Sequence, residues 1–203
     1  MTSNPPERYV ELQKAYNSCH SNGRAENEED LQAMCAVRLA AQRKIFGLES
    51  FLDVGCRMGY ATHRLMLEAP GGKRFVGVDV VPEFVEYANA NHPGDFMVAD
   101  AHELPFGDGE FDALLCTQVL EHCYDFDRAV KEVLRVTKKV AYLGVPLEPD
   151  TEESRRANPS HHVFEPDTLR WLNRLVLPGW ELVWCQIIGE QRYFDMMLVR
   201  KGP

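Results

Sequence analysis

The segment FLDVGCRMGY, Phe51 to Tyr60, decides the fold of this chain. Its apolar first residues predict a short buried strand that Asp53 closes, and Gly55 and Gly59 flank a turn that leads into a helix. Such a turn directs backbone N–H groups and a helix N-terminus toward the space over the carboxyl end of the strand. Glycine also permits a close approach that a side chain would block. The segment therefore predicts a ligand site.

A second predicted strand, RFVGVDV from Arg74 to Val80, also ends in an acid. Asp79 stands where an acid can accept hydrogen bonds from both hydroxyl groups of a ribose. Asp79 can also cap the helix that Pro82 opens, and the two roles are sterically compatible. The second strand therefore predicts a ribose-binding acid beside the glycine turn.

Strand and helix patterns alternate along the middle of the chain. Apolar residues recur at helical spacing from Asp30 to Phe46, and Gly47 ends that pattern. The elements predicted after the glycine turn are the helices ATHRLMLEA and PEFVEYANANH, the strands DFMVAD and FDALLCT, the helix DFDRAVKEVLRV and the strand VAYLGVP. Such alternation predicts a parallel sheet with helices on both faces. Two later strand-like runs, separated by Gly189 to Gln191, predict a hairpin.

Composition narrows the class of protein. The chain has 203 residues, a mass of 23.2 kDa and 45% hydrophobic residues, which suits a single domain with one core. Proteins that bind nucleic-acid phosphates need a basic surface. The formal charge of −9 and the pI near 5.3 therefore argue against nucleic-acid binding as the main function. We therefore expect a small-molecule partner and no nucleic acid.

Cysteine usage and the first residues predict the compartment. The 6 cysteines form no C-x-x-C pair, which indicates reduced and mostly buried thiols. The polar start MTSNPPERYVE lacks the apolar core of a signal peptide. No apolar run approaches the roughly 18 residues that a membrane-spanning helix needs. We therefore expect a cytoplasmic protein without a membrane span.

Three further blocks follow the two strands in order: VADAHELPF over 98–106, FDALLCTQVLEH over 111–122 and RAVKEVLRVTKKVAYLGVP over 128–146. With the glycine turn, they resemble the class I methyltransferases that depend on S-adenosyl-L-methionine (SAM), a group that includes ubiquinone and menaquinone biosynthesis enzymes and many small-molecule methyltransferases. The resemblance covers about half of the chain. It implies a single α/β domain over 1–203, with a Rossmann-like, mostly parallel sheet of about seven strands. The last strand of that sheet is antiparallel.

The resemblance assigns the glycine turn to the methionine part of SAM. The matching positions are Asp53, Gly55, Cys56 and Gly59, and the carboxylate of Asp53 is placed to accept a hydrogen bond from the amino group of the ligand. The alternative is a purely structural role, in which the glycines only allow the turn between strand and helix. Arg57 departs from the family, in which a second glycine is common, and its charge either points outward or reaches the ligand carboxylate.

The next two blocks are matched to the adenosine part of SAM. The resemblance places Asp79 on the ribose hydroxyls and Val80 beside the adenine. It places Asp100 on the exocyclic amino group of the adenine, with Ala101 and His102 completing the pocket. For His102, a role as a polar loop residue is the alternative to a ligand contact.

The fourth-strand block is matched to the sulfonium end of SAM. Thr117 and Gln118 leave the strand at the central switch of the sheet, where ligands of open α/β folds usually bind. In this family, the acid and histidine of Glu121-His122 brace the adjoining loop more often than they react. The block lacks the Asn/Asp-Pro-Pro-aromatic motif of amino methyltransferases that act on DNA bases and glutamine.

Methyl transfer to a hydroxyl group needs removal of a proton, which suits a histidine at neutral pH. His161 and His162 follow a polar loop over 147–165 that reads as a candidate lid, and we nominate one of them as the general base. An equal alternative is that the pair caps the predicted helix EPDTLRWL or is exposed to solvent. A metal at this pair would need a third ligand that the sequence does not identify, so no metal is expected. Residues 1–47 are expected to form an N-terminal helical cover.

The sequence thus favours a SAM-dependent methyltransferase acting on an oxygen or nitrogen of a small molecule. The alternative is a SAM-binding protein without catalysis that serves as a regulatory or partner subunit. A dinucleotide-dependent oxidoreductase ranks low because G-C-R-M-G lacks the G-x-G-x-x-G fingerprint. Monomer and homodimer remain open.

Overall fold

A sheet of seven strands in the order β3-β2-β1-β4-β5-β7-β6 forms the centre of the protein. The computed structural model describes residues 25–147, 151–152, 177–188 and 193–202. The strands are β1 Ser50–Val54, β2 Arg74–Asp79, β3 Asp95–Val98, β4 Phe111–Thr117, β5 Thr137–Pro146, β6 Trp180–Ile188 and β7 Tyr193–Arg200. The first five strands pair in parallel, and β7 is antiparallel to its neighbours β5 and β6. The predicted fold class and terminal hairpin are therefore confirmed.

The helices occupy the connections that the sequence pattern predicted. They are α1 Ala25–Ala41, α2 Arg43–Phe46, α3 Tyr60–Glu68, α4 Pro82–Asn91 and α5 Phe126–Val136, with a 3-10 turn at Leu120–His122. The helix predicted from Asp30 to Phe46 is in fact two helices, and the first begins earlier, at Ala25. The break lies at Gln42, whose N–H donates to the carbonyl of Leu39 in the tighter i to i−3 pattern.

The core lies in two layers because successive strand residues face opposite sides of the sheet. Leu52 of β1 and Leu114 of β4 belong to the layer that also contains Val133 of α5. Phe51 and Leu115, their neighbours along the strands, belong to the layer covered by α1 and α3. Because both faces of β4 are covered, the strand is buried over its whole length. Its nearly continuous apolar sequence is typical of such a strand.

Several sequence predictions concern residues outside this description. Of the expected cover over 1–47, only residues 25–47 are described, and of the candidate lid over 147–165, only residues 147, 151 and 152 are described. The single-domain organisation stays a prediction. Among the described residues, no helix is long and apolar enough to cross a membrane.

A buried acid fastens α1 to the antiparallel end of the sheet. Asp195 of β7 is 1% exposed. One of its carboxylate oxygens accepts from the hydroxyl of Tyr142 at 3.1 Å, from Cys35 Sγ at 3.4 Å and from the Arg38 guanidinium at 3.3 Å. Burial raises the pKa of Asp195, and the hydrogen bonds and the charge of Arg38 oppose that rise. These donors offset part of the free-energy cost of burying the Asp195 carboxylate in the core.

Tyr142→Phe should lower the free energy of unfolding by about 1 to 3 kcal/mol, because it removes a donor from a buried acid. Tyr87→Phe is the matched control, since its hydroxyl meets only that of Tyr60, at 3.2 Å, on an exposed surface of the described structure. Urea unfolding of both variants is the measurement. Equal stabilities for the two variants would contradict the proposed fastening role of Asp195.

Candidate active site

The turn after β1 depends on two glycines with left-handed backbones. The φ angle is 75° at Gly55 and 87° at Gly59, a region that favours glycine. A Cβ atom at Gly55 would overlap Cγ2 of Val119, and one at Gly59 would lie 2.9 Å from the ring of Phe96. Protein side chains therefore fill the space beside both glycines. Conformation and close packing both require glycine here.

Four backbone N–H groups of this turn donate within the protein. Those of Gly55 and Cys56 donate to the carbonyl of Val78 at 2.8 and 3.0 Å, and that of Gly59 donates to the carbonyl of Cys56. The N–H of Arg57 donates to the carboxylate of Asp79 at 2.9 Å. These four N–H groups are therefore already paired within the protein, and the expectation that the turn binds a ligand stays a prediction. The turn locks β1 to β2 and orients an acid.

Asp53 and Asp79 lie near the carboxyl ends of the adjacent strands β1 and β2. Asp53 is 3% exposed, and it accepts a hydrogen bond at 2.7 Å from the hydroxyl of Thr62 on α3. Asp79 is 8% exposed, and its second oxygen accepts from the N–H of Val81 at 2.9 Å. Val81 is the N-cap of α4, so Asp79 does support the start of that helix. Each carboxylate oxygen can still accept a further donor.

Burial disfavours the charged forms of both acids. It raises the pKa of Asp53 to about 7, the hydrogen bond from Thr62 opposes the rise, and the charge of Asp79 adds to it. Burial likewise raises the pKa of Asp79, against the N–H donors of Val81 and Arg57 and the charge of the Arg57 side chain. The charge of Arg57 therefore acts on Asp79. Two buried acids in mutual repulsion are suited to a ligand that brings a positive charge or hydroxyl donors.

Asp100 and His102 form a third acidic group just after β3. One oxygen of Asp100 accepts from both the backbone N–H and the ring Nδ1 of His102. Burial works to raise the pKa of Asp100, but the hydrogen bonds from His102, together with nearby positive charge that includes Arg128, outweigh it and the pKa is lowered. His102 is 2% exposed, so it is a buried partner of the acid and not an exposed loop residue.

Gln118, at the end of β4, has a strained backbone conformation that the sequence did not reveal. Gln118 has a φ of 59°, which is unfavourable for a side chain other than glycine and concentrates at functional sites. Its N–H donates to the carbonyl of Gly144 at 3.0 Å, and its side-chain Nε2 is buried without a partner among the described residues. Thr117 beside it is buried. Arg57 also has a positive φ, 48°, which explains why a glycine would suit that position.

The remaining predicted site residues are distributed as follows. Cys56 and Ala101 are buried, and Val80 is half-buried. Glu121 and His122 are both buried, with their side chains 3.9 Å apart. The candidate bases His161 and His162 lie outside the described residues. Sequence reasoning missed Thr62, which the inward face of α3 could have indicated, and Tyr124, for which the sequence carried no signal.

The sheet order, the antiparallel β7 between β5 and β6 and the acids at the carboxyl ends of β1, β2 and β3 agree with the Rossmann-like methyltransferase fold that the sequence resemblance predicted. Residues 52–145 match the family model of the methyltransferase domain. This match confirms the resemblance to SAM-dependent methyltransferases that was predicted from the sequence.

Two curated relatives and one solved structure illustrate the likeness. The probable chloroplastic tocopherol O-methyltransferase of Oryza sativa subsp. japonica is 30% identical over 174 residues, which are 80% of this chain and 46% of the relative. The norajmaline N-methyltransferase of Rauvolfia serpentina is 29% identical over 134 residues, 63% and 44% of the two chains. This chain thus spans less than half the length of both relatives.

The crystal structure of magnesium protoporphyrin IX methyltransferase from Synechocystis PCC 6803 with bound SAM has the same fold, with a TM-score of 0.70 at 15% sequence identity. The match covers 98% of this chain and 100% of that one.

Asp53→Asn should remove a pH dependence of stability. A folded-state pKa of about 7, above the ordinary 3.8, means that the folded protein binds this proton more tightly than the unfolded chain. Wild-type stability should therefore fall as the pH rises from about 4 to about 7. At pH 8 the variant should be more stable than the wild type by up to about 4 kcal/mol, and at pH 4 the two should be similar.

Urea unfolding between pH 4 and pH 8 measures this difference. Asp95→Asn changes an exposed acid at the other end of the sheet and serves as the control. Parallel pH profiles for wild type and Asp53→Asn would show that the buried carboxyl group does not titrate in this window.

Proposed function

We propose that this protein binds SAM and transfers its methyl group to an oxygen or nitrogen atom of a small molecule. The observation that carries the proposal is the row of three carboxylates at the carboxyl ends of β1, β2 and β3, namely Asp53, Asp79 and Asp100. The match of residues 52–145 to the methyltransferase domain supports the same cofactor.

The donor groups of SAM suit these acids. Its ammonium group would compensate the negative charge of Asp53, which burial and the neighbouring Asp79 destabilise. Its ribose hydroxyls would donate to Asp79, whose oxygens each accept one N–H and retain further acceptor capacity. The adenine amino group would donate to Asp100. The proposed site therefore fits the cofactor group by group.

Thr117, Gln118, Cys56, Gly55 and Gly59 complete the proposed cofactor site around the methionine part. SAM supplies an activated methyl group on a sulfonium. The protein's part is to hold the acceptor atom in line with that methyl group at near-contact distance, because alignment accounts for most of the catalytic gain. The strained Gln118 at the switch between β1 and β4 lies where such alignment would be set.

The acceptor is proposed to lose its proton to His161 or His162. Relatives named as an O-methyltransferase and an N-methyltransferase support oxygen and nitrogen as the acceptor atoms. We assign the choice of acceptor to the N-terminal segment and to the 147–165 segment. The free cysteines, of which Cys35, Cys56, Cys116 and Cys123 are buried, support a cytoplasmic location.

Asp79→Ala should weaken binding of SAM and of its demethylated product S-adenosylhomocysteine by roughly ten- to hundredfold, because it removes a charged acceptor for ribose hydroxyls. Isothermal titration calorimetry of purified protein with both ligands is the measurement. Asp95→Ala, at the amino end of β3, is the matched acidic control and should bind like the wild type.

A folded wild-type sample that binds neither ligand would overturn the proposed cofactor. Binding without turnover across a panel of acceptors, followed by mass spectrometry, would favour the non-catalytic SAM-binding alternative.

Alanine at the catalytic member of the pair His161 and His162 should lower kcat for a hydroxyl acceptor by about a hundredfold or more at pH 7, with little change in cofactor binding. The loss should shrink at alkaline pH, where the acceptor loses its proton without help. A pH profile of kcat for each single variant tests this. Unchanged kcat in both variants would remove the pair from the mechanism.

A further inference from the structure

We propose that His102 is a positioning residue that makes Asp100 selective for the amino group of adenine. This inference rests on the proposed function, because it concerns how the same site reads the nucleobase of its cofactor. Its basis is a chain of hydrogen bonds that runs from Asp100 through the His102 ring to the start of α5.

The contacts of the ring determine which nitrogen carries the proton. Nε2 of His102 lies 3.2 Å from the backbone nitrogen of Asp125, whose N–H can only donate. Nε2 must therefore accept and carry no proton of its own, which places the proton of the neutral ring on Nδ1. Nδ1–H consequently donates to Asp100, and Asp100 can only accept from it.

The ring is held from several sides. It stacks on Tyr124 with the ring centroids 3.7 Å apart and the planes 20° apart. The guanidinium of Arg128 donates from Nε to the carbonyl of His102 at 2.9 Å. Asp125 is itself the N-cap of α5, and its side chain accepts from the N–H of Arg128. The orientation of Asp100 is thus tied to the start of a helix that packs in the core.

Because of this arrangement, the two oxygens of Asp100 differ in their ability to accept a further hydrogen bond. Oδ1 receives two N–H groups of His102 and is thereby saturated. Oδ2 has one distant partner among the described residues, the hydroxyl of Tyr124 at 3.5 Å. Oδ2 is therefore the oxygen that can accept from a ligand. It can accept from the amino group of adenine, whereas the carbonyl oxygen of hypoxanthine in its place would face it with a second acceptor.

The test compares binding of S-adenosylhomocysteine with binding of S-inosylhomocysteine, its hypoxanthine counterpart, by isothermal titration calorimetry. The wild type should prefer the adenine ligand by roughly ten- to hundredfold. In His102→Phe, which keeps a stacking ring and loses both ring nitrogens, the preference should fall to about threefold or less.

Two conservative variants separate positioning from plain structural support. The amide nitrogen of His102→Asn can replace Nδ1 as the donor to Asp100, so this variant should retain most of the preference. The amide oxygen of His102→Gln can replace Nε2 as the acceptor from Asp125, so this variant should retain more thermal stability than the Asn variant but lose the preference.

Rescue of the preference by Gln and not by Asn, or an unchanged preference in His102→Phe, would overturn the inference. Equal binding of both ligands by the wild type would also overturn the inference, since Asp100 would then not distinguish the amino group of adenine from the carbonyl of hypoxanthine. A wild type that binds neither ligand would instead overturn the proposed cofactor, so the two failures are distinguishable.

Discussion

The structure depends on carboxylates that are buried at the carboxyl edge of a parallel sheet. Burial of Asp53 and Asp79 costs free energy, because each charge loses water and each lies near the other. Few groups offset that cost: the hydroxyl of Thr62 for Asp53, and two backbone N–H groups and the charge of Arg57 for Asp79. A polypeptide optimised for stability alone would place amides or apolar groups here. The incomplete compensation is what leaves these acids suited to a ligand with positive charge and hydroxyl donors.

Asp195, on β7 in the antiparallel part of the sheet, shows the contrasting arrangement. It is as deeply buried as Asp53, but a phenol, a thiol and a guanidinium converge on one of its oxygens. The guanidinium of Arg38 provides a counter-charge from α1. This acid therefore serves to fasten a helix, whereas Asp53 has no cation at hydrogen-bonding distance among the described residues. The same residue type has two roles because its neighbours differ, and those neighbours come from distant parts of the chain.

Much of the fold was predictable from sequence because its signals are local. Apolar runs that end in Asp53 and Asp79 marked the first two strands, and alternation with helical patterns predicted parallel pairing. The break of the first helix at Gln42 was not predictable, because no glycine or proline marks it. The positive φ of Gln118 was equally hidden, since the backbone there is fixed by a hydrogen bond to a strand that follows later in the chain. Local propensity contains no information about such a contact.

The sequence by itself determined the order of the elements, the family and the acids that could meet a ligand, because these follow from periodicity, motif spacing and residue chemistry. Tertiary structure alone decided how those groups are used. It turned the N–H groups of the glycine turn inward, and it buried His102 between Asp100 and the start of α5. Hydrogen-bond direction and burial depend on which distant segments pack together. They are therefore properties of the folded chain that no local stretch of sequence specifies.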